Sequence, residues 1–158
     1  VDLGEHVRVP MACGGQLLAV HDHCPDAQAL VLLLHGLGGH SDREGLRRMG
    51  LALQAAGFSV LRLNLRGAGK GRALASGTYA AHCNRDLWPV LERARQLAGG
   101  KPLLGAGISL GGTILLNACL EQADALDGLV CTSSPLDLAA CSASIERPRN
   151  RIYQRWLM

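Results

Sequence analysis

Three short apolar runs constrain what this chain can fold into more than any other feature. ALVLLLHG (29–36), PLLGAGI (102–108) and LDGLVCTSS (126–134) have almost no charged side chains over the length of a β-strand. Runs without polar alternation are typical of strands that helices cover on both faces. Between them lie segments with helical periodicity, such as LWPVLERARQLA and LGGTILLNACLEQ. This alternation predicts an α/β fold, a mostly parallel sheet with helices on both faces.

Local signals predict where several elements begin and end. EHVRVPM and GQLLAVHDH indicate two short strands joined by a glycine turn, and SVLRLNLRG indicates another strand. Ser41-Asp42-Arg43-Glu44 has the spacing of a capping box, which predicts a helix that begins there and stops at Gly57. A helix tolerates proline only in its first turn, so the helix that contains Pro89 should begin near Asp86.

Composition excludes several classes of function. With 158 residues, of which 48% are hydrophobic and 3% aromatic, the chain is expected to form one domain with an aliphatic core. The net charge of +3 is too small to indicate nucleic-acid binding. No apolar run approaches the roughly 20 residues that span a bilayer, so we expect no transmembrane segment. The cysteines contain no C-x-x-C pair, and Cys119 and Cys131 fall in segments predicted to be a buried helix and a buried strand, where a reduced thiol acts as a small hydrophobe. Both observations favour a reducing, cytoplasmic setting. None of these features indicates an oligomeric state.

The string Gly107-Ile108-Ser109-Leu110-Gly111 carries the main chemical signal. On its own a G-x-S-x-G string is weak evidence, but Ser109 falls where a buried strand ends and a helix begins. A sharp turn there raises the serine hydroxyl above the carboxyl edge of the sheet, and glycines at 107 and 111 avoid clashes. The amides at the start of the helix favour negative charge at the same place. Ser109 is therefore the predicted nucleophile; the alternative is a glycine turn with an incidental serine.

A second glycine-rich turn follows the strand LVLLL and contains His35-Gly36-Leu37-Gly38-Gly39. An acyl-transfer enzyme must stabilise a tetrahedral oxyanion, and fixed backbone amides do so without reorganisation. We expect one amide from Leu110, directly after the nucleophile, and the other from Leu37. Gly36 would let substrate approach the backbone, and His35 is expected to brace this loop rather than act as the base. A flexible strand-to-helix loop is the alternative.

Other candidate sites are weaker. His21, His23 and Cys24 lie close together in the sequence, but no second cluster completes a metal site. The glycines from 67 to 71 miss the spacing of a dinucleotide-binding loop, so we expect neither a metal nor a cofactor. Asp137 follows a strand as a triad acid would, although a helix-capping or loop role is favoured. The arginines between 147 and 155 are typical of a solvated face.

Taken together, these motifs resemble those of α/β-hydrolases of the YheT type, bacterial relatives of the mammalian abhydrolase-domain esterases and monoacylglycerol lipases. The motifs are His35-Gly36-Leu37, Asn64-x-Arg66-Gly67, Gly107-x-Ser109-x-Gly111-Gly112, Ser134-Pro135-Leu136-Asp137-Leu138 and the terminal RIYQRWLM. The resemblance implies a hydrolase core over 1–137 and the start of a lid over 138–158. It also implies short-chain or acylglycerol esters as substrates. TYAAHC departs from a Tyr-His-Ser-Gly-like stretch of the family.

A serine nucleophile needs a base, and the sequence offers none in the expected order. In this fold the chain order is Ser, acid, His, but all six histidines precede Ser109. We therefore expect the acid and base in a C-terminal half beyond residue 158, and expect residues 1–158 alone to be inactive. The predicted function is hydrolysis of small-molecule carboxylic esters through an acyl-Ser109 intermediate. The alternatives are an acyltransferase or peptidase of the same fold, or a non-catalytic binding module.

Overall fold

The computed structural model describes residues 4–150 and residue 152. Its strands are β1 (Glu5–Pro10), β2 (Gln16–Asp22), β3 (Leu30–Leu34), β4 (Ser59–Asn64), β5 (Leu103–Ile108) and β6 (Gly128–Thr132). Its α-helices are α1 (Glu44–Ala55), α2 (Leu87–Ala98), α3 (Leu110–Glu121) and α4 (Leu138–Ile145). Short 3-10 turns span Gly69–Leu74, Cys83–Asp86 and Pro148–Asn150. Most of RIYQRWLM, namely residue 151 and residues 153–158, lies outside the described residues.

The six strands form one sheet in the order β1-β2-β4-β3-β5-β6. β3, β4, β5 and β6 are parallel, while β2 runs antiparallel to β1 and to β4. The chain passes from β3 to β4 on one side and later returns to place β5 on the other side of β3. In open α/β sheets, ligand sites lie at such a reversal, outside the carboxyl ends of the strands. This topology draws attention to the segments that follow β3 and β5.

Helices cover both faces of this sheet, as the apolar runs predict. The larger apolar cluster joins α2 and α3 to one face, with Leu32, Leu87 and Ile114 fully buried within it. The smaller cluster, on the α1 side, contains Leu33, Leu46 and Val60. β3 is buried along its whole length, which explains its uninterrupted apolar run. β6 is only partly buried, because it is the last strand of the sheet. The predicted fold class, a mostly parallel sheet with helices on both faces, is confirmed. Within residues 4–150 and 152, no helix is long and apolar enough to cross a membrane.

The start of α1 differs from the prediction. Its N-cap is Arg43, which makes no side-chain capping hydrogen bond, so the capping box does not form. Ser41 is only 1% exposed, and its hydroxyl accepts a hydrogen bond from Asn64 Nδ2 at 2.9 Å instead. Glu44 pairs with Arg48 one turn ahead. A buried tertiary partner has displaced the local capping interaction. The predicted stop at Gly57, where φ is 86°, and the predicted start of α2 after Asp86 both hold.

Two cysteines are less buried than the sequence predicts. All six cysteines are free thiols in the structure, and Cys119 and Cys131 are only partly buried. The reason is that β6 is the last strand of the sheet, so Cys131 has a neighbouring strand on one side alone. Partial burial still raises the pKa of both thiols, mainly through desolvation.

The outer edge of β6 leads to a prediction about a polypeptide of these 158 residues. Val130 is 66% exposed on this edge, and exposed apolar edge strands pair with other chains. Light scattering after gel filtration should therefore detect species larger than 16.7 kDa. Val130→Lys should shift the distribution towards monomer. Leu51 on α1 is 64% exposed and lies away from this edge. Leu51→Lys removes a similar apolar surface and should leave the size distribution unchanged. An equal effect of both variants would contradict pairing through β6.

Candidate active site

Ser109 occupies the turn between β5 and α3 in a strained backbone conformation. Its φ of 51° and ψ of −124° are a combination that residues with a side chain rarely adopt. Three backbone hydrogen bonds hold it: the Ser109 N–H donates to Thr132 O at 2.8 Å, and Ser109 O accepts from the N–H groups of Gly112 at 3.0 Å and Thr113 at 3.3 Å. Such strain is estimated to cost about 1–3 kcal/mol and persists where the surrounding packing fixes the backbone. This backbone agrees with the sharp turn predicted for a nucleophile at Ser109, and the nucleophile role stays a prediction.

The glycines that flank Ser109 permit close contacts between backbones. A Cβ on Gly107 would lie 2.8 Å from the carbonyl carbon of Gly111, closer than real Cβ contacts. A Cβ on Gly111 would lie 2.9 Å from the carbonyl oxygen of Leu34, the last residue of β3. Alanine at either position would therefore force β3, β5 and α3 apart.

The turn after β3 lies directly against Ser109. Leu34 pairs with Gly107 in the parallel register, so the two strands end side by side. A Cβ on Gly36 would lie 3.0 Å from Ser109 Cβ and 3.7 Å from Ser109 Oγ. The structure thus brings Gly36 and Leu37 next to the serine, as parallel strands with a common carboxyl edge predict.

Some backbone N–H groups near Ser109 already donate a hydrogen bond within the protein, and others do not. The Gly38 N–H donates to the Tyr79 hydroxyl at 2.7 Å, and the Gly39 N–H donates to Gly36 O at 3.1 Å. The N–H groups of Leu37 and Leu110 make no hydrogen bond to any residue that the structure describes. These two amides are therefore free to bind a ligand atom. They are the same two that the sequence predicts as oxyanion donors.

His35 is buried beneath this turn and uses both ring nitrogens. Its side chain is only 2% exposed, and Nε2 accepts a hydrogen bond from the Leu65 N–H at 3.2 Å. Because Nε2 accepts, Nδ1 carries the proton of the neutral ring and donates to Gly36 O at 2.8 Å. Burial lowers the pKa of His35 below its ordinary value, which favours this neutral form. The contacts fit the bracing role predicted for His35, and that role stays a prediction.

A buried polar network, which sequence reasoning did not identify as a unit, anchors the far end of the same loop. Arg62 on β4 makes a bidentate ion pair with Asp22 at 2.6 and 2.9 Å, and Arg62 also donates to Ser41 O at 2.6 Å. Asn64 accepts from the Ser41 N–H at 2.9 Å. The signal was present in the sequence, because polar residues at 62 and 64 interrupt an otherwise apolar strand. Buried polar groups of this kind require partners.

Tyr79 is a second residue that the sequence did not reveal. Its hydroxyl accepts from the Gly38 N–H and donates to Gly36 O at 3.2 Å. Its ring packs edge-to-face on His35, with ring centroids 5.4 Å apart. Burial raises the pKa of the Tyr79 hydroxyl, so it stays protonated at neutral pH. Tyr79 belongs to TYAAHC, the segment that departs from the family pattern.

A cleft of about 690 Å³ opens above Ser109, Leu37 and Leu110. Its volume lies within the range of small-molecule sites. The remaining lining residues come from the end of β6, from α4 and from the loop before α2: Ala81, Ser133, Ser134, Pro135, Leu138, Cys141, Ser142, Ser144 and Ile145. No charged side chain lines the cleft among the described residues. The site therefore favours an uncharged, largely apolar ligand.

The remaining candidates lie outside this cleft. Asp137 caps α4, since its carboxylate accepts a hydrogen bond from the Ala140 N–H at 2.9 Å, in line with the favoured capping role. Residues 4–150 and 152 contain no group of three or more side chains that could hold a metal ion. His21, His23 and Cys24 therefore do not form such a group. The lid assignment of 138–158 stays a prediction; its described part is α4 and the short turn after it.

Comparison with known proteins finds similar sequences among hydrolases. The family described as "Serine aminopeptidase, S33" matches residues 25–157. Phospholipase ABHD3 of Mus musculus is 32% identical over 138 residues, which cover 81% of this chain and 30% of that protein. YheT of Escherichia coli (strain K12) is 28% identical over 132 residues, covering 81% of this chain and 38% of that protein. The chain therefore spans about a third of the length of these relatives.

A solved structure extends the similarity to the fold. XC6422 of Xanthomonas campestris, titled a member of the α/β serine hydrolases without a lid, superposes with a TM-score of 0.70. Its sequence is 22% identical to this one, and the match covers 85% of this chain and 62% of that chain. At this identity the match supports the fold alone.

Proposed function

Since the chain belongs to the serine aminopeptidase S33 family of α/β-hydrolases, we propose that it carries the nucleophile and oxyanion hole of a serine hydrolase that cleaves carboxylic esters. One observation carries the proposal: the N–H groups of Leu37 and Leu110 have no hydrogen-bond partner among the described residues. Both residues line the cleft together with the serine. The Ser109 turn and the two unpaired N–H groups therefore lie together in one largely apolar cleft.

The proposed reaction follows from this arrangement. Ser109 Oγ attacks the ester carbonyl carbon, its proton passes to a base, and the carbonyl π electrons move onto oxygen. The Leu37 and Leu110 N–H groups donate to that oxyanion. The start of α3 adds a favourable dipole at the same point. The oxyanion then re-forms the carbonyl, the alcohol leaves with a proton, and water releases the acyl group from Ser109 by the same steps.

The lining of the cleft favours esters over peptides. An aminopeptidase has to bind a charged α-amino group, and a charged group in an apolar cleft requires a counter-charge. The described lining residues include no carboxylate. One relative, phospholipase ABHD3, is by its name a lipase, which agrees with a lipid ester as substrate. We therefore place acylglycerol or short-chain esters ahead of peptides.

The base is proposed to lie outside these 158 residues. His35 is not available, because Leu65 and Gly36 use both of its ring nitrogens. None of the other five histidines lines the cleft that contains Ser109, His82 beside Ala81 included. No histidine follows Ser109 in the sequence. Without a base, a serine hydroxyl is a weak nucleophile, so the isolated chain is expected to have little activity.

Active-site labelling tests the proposed function. The protein as its gene encodes it is treated with a fluorophosphonate probe, digested, and the modified peptide is sequenced by mass spectrometry. We expect modification of Ser109, blocked by prior incubation with an acyl ester substrate. Modification of Ser133 or Ser134 instead, with Ser109 unmodified, would contradict the assignment. Ser133 lines the same cleft and is exposed, so it forms an internal control for probe access.

A further inference from the structure

The donor turn, residues 35–39 after β3, contains one peptide group that connects its buried hydrogen bonds with the cleft beside Ser109. The carbonyl of Gly36 and the N–H of Leu37 belong to the same peptide group. This group is planar, and the described residues contain no cis peptide bond. In a trans peptide the C=O and N–H point in opposite directions. Whatever fixes the direction of Gly36 C=O therefore also fixes the direction of Leu37 N–H.

Three donors converge on Gly36 O. They are the Gly39 N–H at 3.1 Å, His35 Nδ1 at 2.8 Å and the Tyr79 hydroxyl at 3.2 Å. The first closes a turn within the loop itself, and the second comes from the preceding residue. Only Tyr79 comes from a distant segment, 43 residues away in sequence. Tyr79 therefore ties the orientation of the peptide to the rest of the fold.

The same hydroxyl also removes a competing donor. By accepting from the Gly38 N–H at 2.7 Å, it occupies the amide next to Leu37. A hydroxyl that accepts one hydrogen bond becomes a stronger donor in the other, because bonds in a chain polarise one another. The Gly36–Leu37 peptide is polarised in turn, which strengthens Leu37 N–H as a donor.

We propose that Tyr79 is a positioning residue, which orients and polarises the Gly36–Leu37 peptide so that Leu37 N–H faces the oxyanion formed at Ser109. The inference rests on the proposed function, since it requires an oxyanion there. Tyr79 does not line the cleft that contains Ser109. Its contribution should therefore appear when the oxyanion forms and be absent from ground-state binding.

The test is Tyr79→Phe in the protein as its gene encodes it. This change removes the hydroxyl but keeps the ring against His35, and the backbone bond from the Tyr79 N–H to Arg66 O remains. The change removes two hydrogen bonds, but only the one to Gly36 O acts on the peptide that carries the Leu37 N–H. For the loss of that neutral hydrogen bond we expect kcat to fall about tenfold, with KM changed less than twofold. The Thr78→Val control removes an exposed neighbouring hydroxyl and should leave kcat unchanged.

Two inhibitors separate positioning from general distortion. An alkyl trifluoromethyl ketone adds to the serine hydroxyl and forms a tetrahedral oxyanion, whereas the matching alkyl amide binds without adding. Tyr79→Phe should weaken the ketone about tenfold and leave the amide unchanged. In a Leu37→Pro background, which lacks the amide, Tyr79→Phe should have no further effect on kcat. Equal weakening of both inhibitors, or additive losses in the double variant, would overturn the proposal.

The outcomes distinguish this inference from the function on which it rests. If wild-type protein is not acylated at Ser109, the proposed function fails and the inference fails with it. If Ser109 is acylated and folded Tyr79→Phe retains wild-type kcat, the inference alone fails. Hydrogen exchange on the wild-type protein adds a test that needs no variant. The Gly38 amide should be protected, and free exchange at Gly38 would overturn the role of the hydroxyl.

Discussion

Replacement of Ser109 by alanine should lower ester hydrolysis by about four orders of magnitude or more, because it removes the atom that forms the acyl intermediate. The oxyanion donors remain, so residual catalysis above the uncatalysed rate is expected. Alanine preserves the flanking contacts of the turn, and its side chain meets the same backbone strain at a φ of 51°. Steady-state kinetics with a chromogenic ester on the protein as its gene encodes it measure the loss.

Ser109→Gly provides a matched second variant. Glycine adopts positive φ freely, so it should relieve the strain and raise the free energy of unfolding by about 1 kcal/mol over Ser109→Ala. Both variants should be equally inactive. Activity in Ser109→Gly, or hydrolysis that persists in folded Ser109→Ala, would refute Ser109 as the nucleophile. A gain in stability together with the loss of activity would show that the strain accompanies function.

Leu37→Pro should lower kcat on the order of a hundredfold, since proline has no N–H and removes one oxyanion donor. The side chain of Leu37 is 54% exposed, so its loss alone should matter little. Leu37→Ala keeps the amide and is therefore the control, expected to remain within a few-fold of wild type. Circular dichroism establishes that both variants fold. A folded proline variant with near wild-type kcat would place the second donor on another residue.

Sequence periodicity was sufficient to predict the sheet and the helices on both its faces. The apolar runs that became β3 and β5 had to be buried on both sides, and the carboxyl ends of parallel strands share one edge. This shared edge was sufficient to predict that Ser109 lies near the turn that follows β3. Local chemistry was less reliable at Ser41, where a buried bond from Asn64 prevailed over the capping box. A local pattern cannot register a competing partner 23 residues away.

Tyr79 shows why part of the site could not be predicted. It lies in a loop without apolar periodicity, and its two bonds to the donor turn span 41 and 43 residues of sequence. Nothing in TYAAHC indicates which backbone groups a hydroxyl there would reach. The free amides of Leu37 and Leu110 could be predicted because their position follows from strand ends. The groups that orient them depend on loop packing, which sequence patterns describe poorly.

The anchoring of residues 35–41 has a consequence for enzyme engineering. Side chains from β4 and from the loop before α2 hold this segment, through Arg62, Asn64 and Tyr79. A designer who grafts only the seven-residue turn and the G-x-S-x-G string onto another scaffold would transfer the donors without their supports. The portable unit is larger and discontinuous, and comprises β3 with its turn, the polar positions of β4, Tyr79 and the β5–α3 junction.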